Sequence, residues 1–388
     1  MNSFNPSILR KYVAPEFVFG EGALQLVSRY TNNLGGKKAL IVTDEGVRAA
    51  GWTGQVEEVL RQAGITYVIF DRLTSNPKDH EVMQGAEFYQ SRKCDVIIAV
   101  GGGSPMDCAK AIGIVSTNQR PILEMQGIDE VVIPGPPLIC IPTTAGSSAD
   151  VSQFAIITDA ASQVKVAIIS KALVPDIALI DPRTTTSMPA DLTAAVGMDA
   201  LCHAFEAYVS DASSPLTDLN ALEAVRLLTG SLPGAIERPL DLYCRSQVMW
   251  GSLMAGLAFS NASLGLVHSM AHSLGGLLDL AHGQCNAILL EAVTDYNFDA
   301  VPEKYRRIGE TMGVTFPAGP LSEQRAALVD FIHAFRERIG LNQHLSDLGV
   351  TREHLPRLVQ TAYHDLCLVT NPVKPTKAEI GGLYERVL

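Results

Sequence analysis

Apolar residues follow two different rhythms along this chain. In the first half they come as short, β-branched runs: KKALIVTD (37–44), ITYVIFD (65–71), CDVIIAVGGG (94–103), PLICIPTT (137–144) and DIALIDP (176–182). Each is almost continuously apolar, as strands buried on both faces of a parallel sheet are. Helix-compatible stretches over 54–63 and 82–91 separate the first three. SQFAIITD (152–159) and VKVAIIS (164–170) read as a hairpin pair. Beyond Pro182 the β-branched runs thin out, and a 3.6-residue period predicts helices over 192–209, 215–229, 245–259 and 326–339. The pattern therefore predicts an α/β domain with a parallel sheet over 1–185 and an all-α domain over 186–388.

Composition narrows the function. At ~150 residues per domain, 388 residues suit two domains. Lys and Arg number 30 against 41 Asp and Glu, a net charge of −11 with no basic run. That balance argues against nucleic acid or an anionic membrane as the main partner. No apolar stretch approaches the ~18 residues of a membrane span, and the N-terminal MNSFNPSILRKY lacks the apolar core of a secretory signal. Seven cysteines, an odd number without a C-x-x-C pair, fit reduced thiols in the cytoplasm better than a disulfide framework.

The strongest backbone signal is VIIAV-GGGSP-MDCAK, which joins a buried strand to a helix through Gly101, Gly102, Gly103, Ser104 and Pro105. With Ser104 as the expected N-cap and Pro105 in the first turn, the loop presents bare N–H groups at a helix N-terminus, where anions bind. The dinucleotide pattern G-x-G-x-x-G is incomplete, since Met106 replaces its last glycine, so phosphate binding competes with a merely tight turn. Asp44 ends the first strand; a carboxylate there accepts from ribose hydroxyls and repels a 2′-phosphate, favouring NAD over NADP. Thr143, Thr144, Gly146, Ser147 and Ser148 form a hydroxyl-rich loop at another strand end.

In the helical half, GMDALCHAFEAY places Asp199 and His203 at i, i+4, and GLVHSMAHSLGG does the same for His268 and His272; His282 follows in AHGQCN. Polar groups on apolar faces need partners. Two such pairs and a further histidine point to a divalent ion held by N and O donors in a catalytic site, of the kind Zn²⁺ or Fe²⁺ occupies. Spacing leaves open which three or four of these groups bind it, and leaves Glu206 as either a competing ligand or an outer partner. Cys202 and Cys285 read as packing residues.

Together GGGSPMDCAKAIG, IPTTAGSSADV, GMDALCHAFEAY and GLVHSMAHSLGG…AHGQCNAILL resemble the iron-containing (group III) alcohol dehydrogenases, a family that includes propanediol and lactaldehyde dehydrogenases. The resemblance runs from FVFGEGAL (17–24) to Asn371-Pro372. It implies a Rossmann-like dinucleotide-binding domain, a helical metal domain, and hydride transfer between NAD(H) and a small primary alcohol, diol or aldehyde, commonly in a homodimer. Carried over residue by residue, it makes Asp199, His203, His268 and His282 ligands of Fe²⁺, Zn²⁺ or another divalent ion. It makes His272 the catalytic histidine beside nicotinamide and substrate, and sets Asp44, Asn76, Gly102, Gly103, Ser104, Thr143, Thr144 and Lys165 along the cofactor. Two segments depart from the family: Gly146-Ser147-Ser148-Ala149-Asp150-Val151, which bears on the nicotinamide pocket, and Asn371-Pro372-Val373-Lys374, which bears on the substrate mouth. Two rivals share the plan, a dehydroquinate-synthase-like lyase and a glycerol-dehydrogenase-like enzyme; a third is a non-catalytic scaffold with a saturated ion. The few Lys and Arg around the histidines disfavour the lyase, which needs a basic pocket.

Overall fold

The computed structural model describes residues 9–388, so the reading of the N-terminal segment falls, at residues 1–8, outside the described residues. The chain forms two compact units, one over Val13–Met188 and the other over Pro189–Leu388 together with the short segment that ends at Tyr12.

The first unit contains strands β1 (Glu16–Phe19), β2 (Lys38–Val42), β3 (Thr66–Phe70), β4 (Val96–Gly101), β5 (Gly127–Ile128), β6 (Leu138–Pro142), β7 (Phe154–Asp159), β8 (Val164–Ile169) and β9 (Ile177–Ile180). Its helices are α1 (Val27–Asn33), α2 (Glu45–Ala49), α3 (Trp52–Gln62), α4 (Asp79–Ser91) and α5 (Gly103–Asn118). Six strands make a parallel sheet in the order β1-β9-β6-β4-β2-β3. From β2 the chain steps outward to β3, returns to β4 beside β2, and then builds the other side through β6 and β9. The reversal lies between β2 and β4, and open α/β sheets bind ligands outside the carboxyl ends of the strands at such a point.

Alternation along β4 explains its continuous apolarity. Val96, Ile98 and Val100 pack with Leu24, Val27, Val56 and Leu60 on one face. Ile97 and Ala99 pack with Val82 of α4 and with Met106 and Ile112 of α5 on the other. The expected hairpin forms as antiparallel β7–β8, with Thr158 opposite Lys165, but in a separate three-stranded sheet with β5. Two strands escape a pattern reading: β5 has two residues, and edge strand β1 has only four, none of them fully buried.

The second unit is helical: α6 (Ala190–Val209), α7 (Pro215–Glu237), α8 (Leu242–Ala262), α9 (Leu266–Leu278), α10 (His282–Asn297), α11 (Pro302–Met312), α12 (Leu321–Arg338), α13 (Leu355–Tyr363) and α14 (Lys377–Val387). Helix α7 runs eight residues past the expected end at Thr229 and through Pro233. A proline inside a helix costs one backbone hydrogen bond, but Leu232, Pro233 and Ala235 are all buried, and tertiary packing overrides the local break. Close approach of α7 and α8 requires Gly251, whose Cβ would lie 2.9 Å from Leu228. Among the described residues no helix is long and apolar enough to cross a membrane. All seven cysteines are buried and free.

Candidate functional site

Each unit gathers its own set of the residues singled out above. In the α/β unit, Gly102 is the N-cap of α5 and no side chain caps that terminus. Ser104 therefore stands inside the first turn, not at the N-cap where the sequence placed it. A glycine in the cap position leaves the orphan N–H groups without an internal acceptor, which is the arrangement that receives an anion. A Cβ on Gly102 would lie 3.0 Å from Thr144 Oγ1, and one on Gly103 would lie 3.0 Å from the Ser147 side chain. These glycines thus bring two loops into contact, in addition to baring main chain to a ligand. The Thr143 N–H donates to the Gly101 carbonyl at 2.9 Å, fixing the hydroxyl-rich loop beside the glycine turn.

Asp44 lies two residues beyond the end of β2, the neighbour of β4, and caps α2 through a 2.8 Å bond from the Val47 N–H to its Oδ1. Asn76 adopts a left-handed conformation (φ 75°) in the loop after β3, a conformation asparagine tolerates better than most residues. That loop is tied to the hairpin, because the Thr158 N–H donates to the Pro77 carbonyl at 2.8 Å and Thr158 pairs with Lys165. Lys165 in turn lies within electrostatic reach of Asp107 on α5.

A buried lysine holds the chain that immediately follows the 146–151 segment. Lys110 of α5 donates to the carbonyls of Ser152 and Phe154, each at 2.8 Å, and to Ser152 Oγ at 3.2 Å. Burial pushes the Asp150 carboxyl up to about 6, against the opposing pull of its own backbone N–H and Lys110.

The helical unit supplies the side-chain chemistry. Asp199, His203 and Glu206 share one face of α6 and are buried. His268 and His272 come from α9 and His282 opens α10. Gly283 makes this possible, since a Cβ there would lie 2.4 Å from the Ala195 carbonyl oxygen of α6. One donor atom from each of Asp199, His203, His268 and His282 lies within 4.8 Å of the others. The Nε2 atoms of His203, His268 and His282 stand 3.8, 3.6 and 3.6 Å from Asp199 Oδ1. Those separations are too long for hydrogen bonds, yet close to the edge of about 3.4 Å expected of a tetrahedron with ~2.1 Å bonds around a divalent ion. The donor set, three imidazoles and a carboxylate, fits such an ion.

Outer partners aim these donors. Glu206 accepts from the Val267 N–H at 2.6 Å and sits 2.5 Å from His268 Nδ1, which turns Nε2 toward Asp199. Glu206 is thus the orienting carboxylate of His268, as such carboxylates commonly are for ligating histidines. Burial alone would lower the His268 pKa, but Glu206 and Asp199 on its two nitrogens raise it to about 9. Burial likewise opposes ionisation of Asp199, but the surrounding imidazoles hold its carboxyl well below the usual range. The His203 ring stacks on Phe259 and on His268, with centroids 4.3 and 4.5 Å away.

His272 is not one of the four converging donors. Its ring stacks on His282 at 5.4 Å, and its Nδ1 is 2.9 Å from Asp365 Oδ2. Asp365 also accepts from the Cys367 N–H at 2.8 Å. Burial pushes the Asp365 carboxyl up, while His272 and the cysteine N–H bring it below its ordinary value. The sequence reading missed Asp365, 93 positions from its partner; the only trace of it is one acid before the apolar run LCLV. It also missed Asn286, which lies one turn beyond His282. Cys202 and Cys285 are buried outside the donor set. The Asn371 segment is a clamp: its Oδ1 accepts from the Leu266 N–H at 3.1 Å, and Lys374 Nζ caps the carbonyls of Val369 and Asn371.

Comparison with known proteins agrees with this geometry. The family model described as iron-containing alcohol dehydrogenase matches residues 14–182, and the one described as Fe-containing alcohol dehydrogenase family, C-terminal, matches 193–388. The chain is 40% identical over 379 residues to 1,3-propanediol dehydrogenase of Citrobacter freundii, covering 97% of this chain and 98% of that one. It is 34% identical over 377 residues to NAD-dependent methanol dehydrogenase of Bacillus methanolicus, covering 97% and 99%. A crystal structure of 1,3-propanediol oxidoreductase superposes with a TM-score of 0.95 at 39% identity, covering 98% of this chain and all of the other. With both units matched almost end to end, the chain belongs to the iron-containing alcohol dehydrogenase family.

Proposed function

We propose that this enzyme interconverts small primary alcohols or diols and their aldehydes with NAD(H), using a divalent ion, Fe²⁺ first among the candidates, held by Asp199, His203, His268 and His282. The observation that carries the reading is the convergence of those four donors from three helices to within 4.8 Å of one another. The matched family implies a metal and an NAD-type cofactor, and it does not favour the dehydroquinate-synthase-like or glycerol-dehydrogenase-like alternatives.

When bound, the ion supplies a Lewis acid that acidifies an alcohol hydroxyl or polarises an aldehyde carbonyl, and the dinucleotide supplies the hydride acceptor or donor. This chain's residues do the rest. Glu206 holds the proton on His268 Nδ1 and so presents Nε2 as a donor. Asp365 does the same for His272, leaving Nε2 of that imidazole to take up the proton an alcohol gives off and return it in the reverse direction. In the α/β unit, the uncapped N-terminus of α5 at Gly102, Gly103 and Ser104 is the seat for the pyrophosphate, with Thr143, Thr144, Asn76 and Lys165 around it. Asp44 Oδ1 is engaged by its own helix, so Oδ2 is the acceptor for ribose and the charge that disfavours a 2′-phosphate.

Homodimer formation and a cytoplasmic location complete the proposal; seven buried, unpaired thiols support the latter. The test is removal and restoration of the ion. Chelator-stripped protein should lose NADH formation from 1,3-propanediol and short primary alcohols, and should regain it with Fe²⁺ or Zn²⁺. Full turnover in the stripped protein would refute the reading.

A further inference from the structure

Asn286 lies one turn after His282 on α10 and is completely buried. Its amide nitrogen is 2.6 Å from Asp199 Oδ1 and 3.2 Å from Nε2 of both His268 and His282. One side-chain group therefore touches three of the four converging donors. Its oxygen, equally buried, has no hydrogen-bond partner among the described residues. Leaving a buried acceptor unsatisfied is costly, so the amide is oriented by the demand of the donor cluster and not by its own satisfaction. That demand is electrostatic. The Asp199 carboxylate oxygen is the strongest acceptor the amide faces, and the two amide protons are the only donors Asn286 has to offer there.

We propose that Asn286 is a positioning residue of the metal centre: its amide holds Asp199 Oδ1 at the shared focus and keeps Asp199, His268 and His282 assembled before an ion arrives. The inference rests on the metal-centre reading above and adds a group that supplies no ligand. Preassembly lowers the ordering cost of binding, and outer partners of this kind are commonly worth about 10–100-fold in metal affinity.

The test uses the full-length protein stripped of metal, with Co²⁺ as the probe. Affinity is read by competition with a chromophoric chelator, geometry by the visible absorption of the Co²⁺ form, and stability by thermal melting with and without Co²⁺. Asn286→Leu keeps the volume and removes the donors; it should weaken Co²⁺ binding about 10–100-fold and shift the visible bands. Binding within about threefold of wild type, with unchanged bands, would overturn the proposal. Asn286→Asp sets a second carboxylate against Asp199. Its metal-free form should melt below wild type, and Co²⁺ should raise its melting temperature by more than it raises that of wild type. This second variant decides the matter if the first does not fold, and an equal rise would overturn the proposal. A wild-type protein that binds no Co²⁺ would remove the metal-centre reading itself, and this inference with it.

Discussion

The two units build their sites from different materials. At the sheet edge of the α/β unit the working groups are largely main chain and hydroxyl, delivered by strand ends, an uncapped helix and glycine turns that let loops touch. In the helical unit they are ionisable side chains on α6, α9 and α10, two of them, His268 and His272, aimed by a carboxylate. A main-chain site spreads its contribution over many weak donors, whereas a side-chain site concentrates it in a few. Single substitutions should therefore injure the two units very differently.

The largest effect is expected at His268, which is both a donor and the acceptor of Glu206's orientation. His268→Ala should lose bound metal and alcohol oxidation together, by more than the ~100-fold that disturbed outer partners cost; elemental analysis beside a turnover assay checks this. Metal retained at wild-type stoichiometry would break the contrast. Next comes Gly102→Ala, whose methyl group meets Thr144 at 3.0 Å. Overpacking of that order costs about 1–3 kcal/mol, so KM for NAD should rise about tenfold while metal content stays unchanged. A simultaneous loss of metal would show that the two sites are not separable. Asp44→Gly should have a smaller consequence, a several-fold gain in kcat/KM with NADP; unchanged cofactor preference would dismiss the charge-repulsion argument. The smallest effect concerns stability alone. Because the Asp150 pKa is raised to about 6 from 3.8, its proton is bound more tightly in the folded than in the unfolded chain. Its contribution to stability is therefore present at low pH and lost as pH rises between about 4 and 6. Asp150→Asn removes that dependence, so urea midpoints should show the variant gaining steadily on wild type as pH rises through this window.

The same contrast explains what was legible in the sequence. Strands β2, β4, β6 and β9 announce themselves because burial on both faces demands unbroken apolar runs; β3, an edge strand and largely half-buried, is legible from its β-branched and aromatic residues. Edge strand β1, only half-buried, carries no such mark. Helix α7 outruns its pattern because Leu232, Pro233 and Ala235 are buried in the fold, and that burial is invisible to local periodicity. Asp199, His203 and His268 stood out as candidates because helical spacing is written directly into a side-chain pattern, whereas the choice of the four donors, His282 among them and His272 not, came from the family resemblance. Asn286 obeys the same spacing from His282 but was passed over, since an asparagine does not advertise metal chemistry. Asp365 could not be found at all by spacing, because only the fold brings it to His272. The N-cap of α5 was misplaced by two residues because serine is usually the better cap, whereas this terminus keeps a glycine where a capping side chain would stand.

Gly283 gives the helical unit one adjustable joint. With no room for a Cβ beside the Ala195 carbonyl, any larger residue there becomes a wedge that prises the first turn of α10 from α6 and carries a single imidazole away from its three companions. Graded side chains at this one position would then convert a four-toothed grip into a three-toothed one by degrees, without removing any tooth.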